Sequence, residues 1–217
     1  MYKAILFDLD GTLTDSGEGI TKSVQYALEK LGKPEPDLSK LRCFVGPPLH
    51  EMFKTYAGID DEAADQAIVW YRERYAPIGI FENAPYEGID HVLRELKRKG
   101  YYLAVASSKP EHFVQIVLER FELEKYFDVV CGASMDGSLS EKADVIREAL
   151  RRLSLIEKLQ ISQVVMVGDT RFDILGAREL GMECLAVSFG YGPRQELEEA
   201  APIAIADDPE GILDFFG

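Results

Sequence analysis

The chain has 217 residues, 47% of them hydrophobic and 29% charged, and its formal net charge at pH 7 is −14. This composition predicts a soluble globular protein with a sizeable core, and the excess of carboxylates disfavours binding to nucleic acid or to an anionic membrane. No stretch approaches the ~20 apolar residues of a membrane span. The three cysteines are far apart and lack C-x-x-C spacing. They disfavour a disulfide framework or a zinc site and favour a reducing compartment, the cytoplasm.

Short apolar runs that end at a polar turn recur along the chain and are typical of buried parallel strands. Residues 2–7 form the first run, and later runs occupy residues 102–106, 127–131, 164–167 and 184–187. Helical patterns lie between or beside the later runs, at residues 89–99, 111–121, 142–153 and 172–180. The alternation predicts an α/β fold with a doubly wound parallel sheet, and residues 208–217 predict a last short helix.

Residues 15–83 interrupt this alternation. Their apolar residues follow helical spacing, at residues 17–31, 48–56 and 61–75. A loop between a strand and its crossover helix usually has ~2–6 residues, so an insertion of this length calls for a reason. We expect a catalytic core made of residues 1–14 and 84–217, with residues 15–83 as an all-helical cap domain. The Gly and Pro residues near both crossings predict hinges on which the cap closes over substrate.

The strongest polar clusters come directly after predicted strands. They are Asp8-Leu9-Asp10-Gly11-Thr12, Ser107-Ser108-Lys109 and Gly168-Asp169-Thr170-Arg171-Phe172-Asp173. The carboxyl ends of parallel strands meet at one edge, where open α/β sheets bind their ligands. Lys142 begins the helix after the third strand, so it also starts near this edge.

Asp8 and Asp10 are two carboxylates separated by one apolar residue. Different surroundings can make one of them a nucleophile and the other a proton carrier. Taken alone, the same pattern also fits a helix N-cap. Gly11 allows the loop, which continues into Thr12, to turn closely past a ligand with backbone N–H groups free to hold phosphate oxygens.

Asp169 and Asp173 offer hard oxygen ligands of the kind that suits Mg²⁺, although both also fit helix capping. Together with the first two aspartates they would repel one another strongly without a cation. Lys142 and Lys109 can neutralise a phosphate, and Ser107 can donate a hydrogen bond to it. Each of these three residues also has a purely structural interpretation: the two lysines fit solvated side chains, and Ser107 fits a helix cap.

The order of these motifs resembles the haloacid dehalogenase-like hydrolase superfamily over nearly the whole chain. The run from Asp8 to Leu13 matches its first motif, the apolar run into Ser107 its second, Lys142 its third and the run from Gly168 to Asp173 its fourth. The phosphoglycolate phosphatase branch, with its relatives named 5′-nucleotidases, is similar at Val45-Gly-Pro-Pro-Leu49, Tyr86-Glu-Gly88 and Ser107-Ser-Lys-Pro110.

The resemblance implies a Rossmann-like core with a helical cap, and Mg²⁺-dependent hydrolysis of a small phosphorylated metabolite through an aspartyl-phosphate. It makes Asp8 the nucleophile and Asp10 the acid and base. Mg²⁺ would be held by Asp8, the backbone carbonyl of Asp10, Asp169 and, directly or through water, Asp173. Asp10 disfavours dehalogenation, because dehalogenases lack this second aspartate. Lys142 lies in Ser-Glu-Lys-Ala and not in the Lys-Pro-x-Pro that is common at the third motif.

The cap is predicted to set specificity, because the core handles only the phosphoryl group. Its candidates are Arg42, which can pair with a second anionic group, Phe44, which can stack on a base, the turn at Gly46, and His50. All of them also fit surface or core positions. Trp70, Tyr71 and Tyr75 are predicted to pack inside the cap.

In the core, Ser108 and Lys109 are two more candidate binding residues. Phosphoglycolate and a nucleoside monophosphate are the simplest substrates. Two alternatives stay open. A phosphoglucomutase-like transferase would use the same chemistry with another acceptor, and a receiver-like module would accept phosphate as a signal without turnover.

Overall fold

The computed structural model describes all residues from Met1 to Gly217. The strands are β1 (Ala4–Phe7), β2 (Thr14–Asp15), β3 (Ala84–Pro85), β4 (Tyr102–Pro110), β5 (Val129–Ala133), β6 (Val164–Gly168), β7 (Glu183–Val187) and β8 (Ala204–Ala206). Six of them form a parallel sheet in the order β5-β4-β1-β6-β7-β8, and β2 pairs with β3 antiparallel. The predicted doubly wound parallel sheet is confirmed.

The α-helices are α1 (Gly17–Lys30), α2 (Leu49–Ala57), α3 (Asp61–Tyr75), α4 (Ile89–Arg98), α5 (Glu111–Arg120), α6 (Lys142–Leu153), α7 (Arg171–Glu179), α8 (Arg194–Ala200) and α9 (Pro209–Phe216). Short 3-10 helices lie at Leu38–Phe44, Gly79–Phe81, Glu124–Tyr126 and Ile161–Gln163. The helices predicted from apolar spacing are confirmed to within one residue at each end. The sequence patterns missed α8, β8 and the short pair of β2 and β3.

Burial on both faces explains why the strands appear as apolar runs. In β1, Ile5 and Phe7 belong to one buried cluster, whereas Ala4 and Leu6 belong to a second cluster on the other side of the sheet. All four side chains are fully buried. Because alternate residues point to opposite faces, a strand covered on both sides needs apolar residues at every position.

The strand order places a topological switch point beside β1. The chain moves outward from β1 through β4 to β5, then returns through α6 to β6 on the other side of β1. Connections therefore leave β1 and β6 in opposite directions, which opens a crevice at their carboxyl ends. Asp8 directly follows β1 and Asp169 directly follows β6.

The segment from α1 to the 3-10 helix at Gly79–Phe81 contains only helices. Its two crossings lie side by side, because Thr14 pairs with Pro85 and Asp15 with Ala84. The segment contacts α5 and shares one buried cluster with α4 and α5: Tyr75 of α3 meets Phe113 of α5 edge to face, with ring centroids 5.5 Å apart. That residues 15–83 act as a separate cap domain stays a prediction. None of the helices combines the length and the apolar character needed to cross a membrane.

Candidate active site

Asp8 and Asp10 are buried at the carboxyl end of β1, with only 2% and 6% of their surface exposed. The following turn depends on Gly11, whose φ of +85° is a conformation that side chains disfavour. A Cβ atom at Gly11 would also lie 2.1 Å from Oδ2 of Asp169. The glycine thus lets the loop after β1 press against the carboxylate that follows β6.

Lys142, the first residue of α6, places its ammonium group between two carboxylates. Its Nζ lies 3.0 Å from Oδ1 of Asp8 and 2.7 Å from Oδ1 of Asp173, and it donates to the carbonyl of Ala106 at 3.0 Å. Burial opposes its charge, but the attraction of Asp173 and Asp8 outweighs burial and raises the pKa of Lys142. The unusual sequence around this lysine does not displace it from the predicted edge.

Asp169 is fully buried and is held on both oxygens. Its Oδ2 accepts the backbone N–H of Tyr191 at 2.8 Å, and its Oδ1 lies 3.3 Å from the hydroxyl of Thr12. Thr12 and Asp169 come from different strand ends, so this contact joins the two sides of the crevice. Burial, followed by the charges of Asp173 and Asp8, raises the pKa of Asp169 well above its ordinary value.

Asp173 fills the helix-capping role that its position also predicted. Its Oδ2 accepts the backbone N–H of Thr170 at 3.0 Å and the Thr170 hydroxyl at 2.8 Å, which forms a capping box at the start of α7. Its other oxygen faces Lys142. Oδ2 of Asp173 is therefore hydrogen-bonded, whereas Oδ1 is in an ion pair with Lys142 and accepts no hydrogen bond.

The donor set at this edge fits a divalent cation. Asp8, Asp169 and Asp173 each offer one oxygen, and these oxygens lie within 4.8 Å of one another. Four buried carboxylates face two buried ammonium groups here: Asp8, Asp10, Asp169, Asp173, Lys109 and Lys142. The buried carboxylates thus outnumber the buried ammonium groups by four to two, and carboxylate oxygens are ligands that Mg²⁺ prefers. Burial raises the pKa of Asp8 to about 6, although Lys142 opposes this shift.

Lys109 extends from the end of β4 to the second aspartate. Its Nζ donates to Oδ2 of Asp10 at 2.6 Å and lies 4.9 Å from the ring centroid of Tyr75. The backbone N–H of Lys109 also donates to Oγ of the buried Ser107 at 3.3 Å. Oδ1 of Asp10 is buried and has no hydrogen-bond partner in the chain. One oxygen of Asp10 is thus fixed and the other is left for a ligand.

A cavity of about 70 Å³ lies between Asp10 and the helical segment. Four of its 13 lining residues are aromatic: Phe44, Tyr71, Tyr75 and Phe113. The polar or charged side chains of Ser108, Lys109 and Arg72 and the backbone of Gly46 also line it. Aromatic side chains that the sequence predicted as packing residues of the cap therefore face the second aspartate as well.

The predicted cap residues lie in different places. Gly46 has a φ of +103° and comes so close to the core that a Cβ atom would lie 2.9 Å from Cγ2 of Thr170. Arg42 does not line the cavity beside Asp10. Its guanidinium group lies 5.3 Å from the ring centroid of Tyr191, at an outer crevice of about 380 Å³. His50 lies on α2, away from both cavities, and its Nε2 is 3.5 Å from Oδ1 of Asp65.

Sequence reasoning missed Thr170, Arg72 and Tyr191. The Thr170-x-x-Asp173 spacing is a recognisable capping-box pattern and would have identified the first. Tyr191 lies between Gly190 and Gly192 just after an apolar run, a signal for a close backbone approach at the same sheet edge. Nothing in the sequence singles out Arg72, because its helix is polar on several sides.

Comparisons with known proteins agree with this geometry. The haloacid dehalogenase-like hydrolase family matches residues 5–187. A 5′-nucleotidase from Pseudomonas aeruginosa is 41% identical over 201 residues, covering 93% of this chain and 89% of that protein. The tyrosine-protein kinase PtkA from Mycobacterium tuberculosis is 38% identical over 201 residues, covering 93% of this chain and 67% of that protein.

Solved structures give the same result. The crystal structure of a predicted phosphatase from Clostridium acetobutylicum superposes with a TM-score of 0.94 at 43% identity, covering 99% of each chain. The match of the family therefore extends from the sequence motifs to the whole fold. The chain belongs to the haloacid dehalogenase-like hydrolase family.

Proposed function

We propose that this protein is an Mg²⁺-dependent phosphatase that hydrolyses a small phosphomonoester through an aspartyl-phosphate on Asp8. One observation carries the proposal. The carboxylate of Asp8 is buried at the switch point, 3.0 Å from the ammonium group of Lys142, and it shares a group of oxygens within 4.8 Å with Asp169. A buried carboxylate among such charges is suited to meet a phosphate that arrives with a cation.

In the first half of the reaction, an oxygen of Asp8 attacks phosphorus and the bond from phosphorus to the leaving oxygen breaks. Asp10 gives its proton to that oxygen, so an alcohol leaves. Two contacts support this division of roles. Lys142 holds Asp8 and offsets charge on the phosphoryl group, and the unpartnered Oδ1 of Asp10 belongs to a residue that lines the cavity.

In the second half, water attacks the phosphorus of the aspartyl-phosphate while Asp10 takes a proton from it. The bond between phosphorus and Asp8 breaks, inorganic phosphate is released, and the free carboxylate of Asp8 is restored. Ester and water are thus converted into alcohol and phosphate. Ser107 is the donor that we assign to a phosphoryl oxygen. The backbone N–H groups of Gly11 and Thr12, which the sequence predicted to be free for phosphate, instead donate within the loop, to the carbonyl of Thr14 at 2.8 Å and to that of Leu9 at 3.3 Å.

Asp8, the backbone carbonyl of Asp10 and Asp169 are the residues that we assign to Mg²⁺. When bound, this ion would neutralise phosphoryl charge and help to fix the line of attack. Asp173, unlike Asp169, is ion-paired with Lys142 through Oδ1, an oxygen that accepts no hydrogen bond, and its Oδ2 accepts two hydrogen bonds from Thr170. We therefore assign Asp173 a role through water and through the position of Lys142.

The substrate types proposed are phosphoglycolate and a nucleoside monophosphate. The cavity beside Asp10 has a volume of about 70 Å³, enough for a few water molecules at ~10–15 Å³ each. A glycolate group needs little extra room, whereas a nucleoside needs the helical segment to move away. Phosphate release from a broad metabolite panel with Mg²⁺ would rank the two types.

The experiment that tests the reaction is hydrolysis of p-nitrophenyl phosphate with Mg²⁺, with excess chelator, and by Asp8→Asn. We expect turnover only for the wild-type chain with Mg²⁺, because the variant keeps the shape of Asp8 but loses the nucleophilic carboxylate. Asp128→Asn, a change at a surface ion pair away from the site, is the matched control. Full turnover by Asp8→Asn, or in excess chelator, would refute the proposal.

A second candidate function is transfer of the phosphoryl group to an acceptor other than water. The similarity to a protein named tyrosine-protein kinase PtkA favours it. The same Asp8 would accept phosphate, and an alcohol or phenol would replace water in the second step. Acceptor phosphorylation that exceeds phosphate release, measured in one assay with tyrosine peptides and sugar phosphates, would favour transfer over hydrolysis.

A further inference from the structure

Tyr191 lies in the loop between β7 and α8, outside the four sequence motifs. Its backbone N–H donates to Oδ2 of Asp169 at 2.8 Å. The flanking glycines let the loop press against this residue: a Cβ atom at Gly190 would lie 2.4 Å from Cβ of Asp169, and one at Gly192 would lie 2.0 Å from its carbonyl oxygen. The position of residue 191 is therefore coupled to that of the proposed metal-binding carboxylate.

The hydroxyl group of the same residue bonds to the start of the helical segment. It donates to Oδ1 of Asp15 and accepts the backbone N–H of Gly17 at 2.6 Å. Gly17 is the first residue of α1, and Ser16 at the N-cap makes no capping bond with its side chain. The tyrosine hydroxyl thus satisfies an amide that helix starts normally leave without a partner. Burial and the bond to Asp15 raise the pKa of Tyr191, so its hydroxyl stays protonated and donates.

Two more contacts join this tyrosine to the segment. The guanidinium group of Arg42 lies 5.3 Å from its ring centroid, within the range of a cation–π contact. A Cβ atom at Gly17 would lie 2.7 Å from the tyrosine hydroxyl, so a glycine at the start of α1 is what permits this approach. Asp15 itself lies in β2, which pairs with β3 at the second crossing.

We propose that Tyr191 is a positioning residue that couples the helical segment to the carboxylate of Asp169. The hydroxyl and the ring hold the segment against the core, while the backbone N–H of the same residue holds Asp169. Movement of the segment away from the core breaks the hydroxyl contacts and frees the loop that orients Asp169. The inference rests on the proposed role of Asp169 as a ligand of Mg²⁺.

Tyr191→Phe tests this coupling, because it removes only the hydroxyl and leaves the ring and the backbone N–H. We expect two results in the metal-binding protein. The amide of Gly17 exchanges with solvent about fivefold faster in NMR-detected hydrogen exchange, since it loses its acceptor. Calorimetric titration with Mg²⁺ gives an affinity weaker by about tenfold, the lower end of the effect of losing a group that orients a metal ligand.

The matched control is Tyr126→Phe, which removes a hydroxyl that donates to Asp90 at 2.7 Å on the surface of the core. It should change neither measurement. Asp15→Ala should reproduce the loss of Mg²⁺ affinity. Adding it to Tyr191→Phe should weaken Mg²⁺ binding little further, because both changes remove the same hydrogen bond, from the Tyr191 hydroxyl to Asp15. Unchanged Mg²⁺ affinity in Tyr191→Phe, or fully additive losses, would overturn the coupling while the proposed function stands. A wild-type chain that binds no Mg²⁺ would instead refute both.

Discussion

The ammonium group of Lys109 lies 2.6 Å from Oδ2 of Asp10, and both side chains are buried, with 5% and 8% of their surface exposed. Lys109 lies at the end of β4 and Asp10 follows β1, and these strands are neighbours in the sheet, so the ion pair joins two motifs that are far apart in the sequence. The ion pair fixes Oδ2 of Asp10, whereas Oδ1 has no hydrogen-bond partner. The proposed acid and base is therefore oriented before any substrate binds.

We expect Lys109→Met to lower the free energy of unfolding by about 3–5 kcal/mol, because it leaves Asp10 as a buried charge without a partner. Lys97→Met is the matched control. Its partner Asp128 lies at 2.7 Å, but the two side chains are 31% and 24% exposed, so the loss there should be about 1 kcal/mol or less. Urea denaturation in the presence of chelator measures both.

The interpretation can be checked by rescue. Adding Asp10→Asn to Lys109→Met removes the unpaired charge, and most of the lost stability should return. Equal losses in the two lysine variants, or no recovery in the double variant, would contradict a buried ion pair at this position.

The convergence of Asp8, Lys142 and Asp169 was predictable, because parallel strands bring residues that follow them to one edge of the sheet. The roles of Lys109 and Asp173 were only partly predictable. Lys109 was expected to face phosphate, yet it pairs with Asp10, since the neighbouring order of β4 and β1 cannot be read from local patterns. Asp173 had two interpretations, a helix cap and a ligand of Mg²⁺. It caps α7 through Oδ2, its Oδ1 faces Lys142, which the spacing did not predict, and its part in binding Mg²⁺ stays a prediction.

The elements that the sequence did not predict are short or held by distant contacts. β8 has three residues, Ala204–Ala206, at the end of the apolar run 200–206. Pro202 and the alanines of this run are atypical of a strand, so the run does not stand out as one. The position of Tyr191 depends on its hydrogen bonds with Asp15 and Asp169, each more than 20 residues away in the sequence. Contacts of this kind depend on how loops pack at the end of the sheet, which neither periodicity nor spacing records.

We expect the stability of the metal-free protein to carry a pH dependence from Asp8. Burial raises the pKa of Asp8 from 3.8 to about 6 in the folded protein. Between these values the folded state binds more protons than the unfolded chain, so this residue makes the free energy of unfolding fall as pH rises. Its favourable contribution is complete below about pH 4 and is lost above about pH 6.

Asp8→Asn removes this titration. Relative to the wild-type chain, the variant should therefore gain stability from pH 4 to pH 6 and keep a constant difference at higher pH. Urea denaturation of both chains in chelator, at steps of half a pH unit, measures the difference. Stability curves that stay parallel through this range would show that Asp8 does not titrate as its burial requires.

Mg²⁺ should stabilise the folded chain through Asp169. A ligand that binds only the folded state at 100 times its dissociation constant adds about 2.7 kcal/mol to the free energy of unfolding. Asp169→Asn should abolish this gain. The metal-free variant should be at least as stable as the wild-type chain, because Asn keeps an acceptor for Tyr191 and removes a buried charge near Asp173. Thermal unfolding with chelator and with Mg²⁺ measures both effects, and Asp128→Asn should keep the full gain.

The close approach of Gly46 to Thr170 should limit what the helical segment tolerates at this turn. Gly46→Ala forces a side chain into a φ of +103° and brings its Cβ atom to 2.9 Å from Cγ2 of Thr170, so the segment must shift away from the core. We expect kcat/KM to fall by about tenfold or more, because a misplaced closing element affects the chemistry beneath it. Gly58→Ala is the control, since Gly58 also has a positive φ, but a Cβ atom added there would have no other atom within 4 Å.

Backbone strain and steric contact at Gly46 can be separated with a second change. Thr170→Ser removes Cγ2 but keeps the hydroxyl that donates to Asp173 in the capping box. If contact dominates, the double variant Gly46→Ala/Thr170→Ser recovers most of kcat/KM, whereas the fall in melting temperature caused by the strained φ persists. If the double variant is as impaired as Gly46→Ala alone, strain in the turn and not contact with Thr170 controls how the segment meets the core.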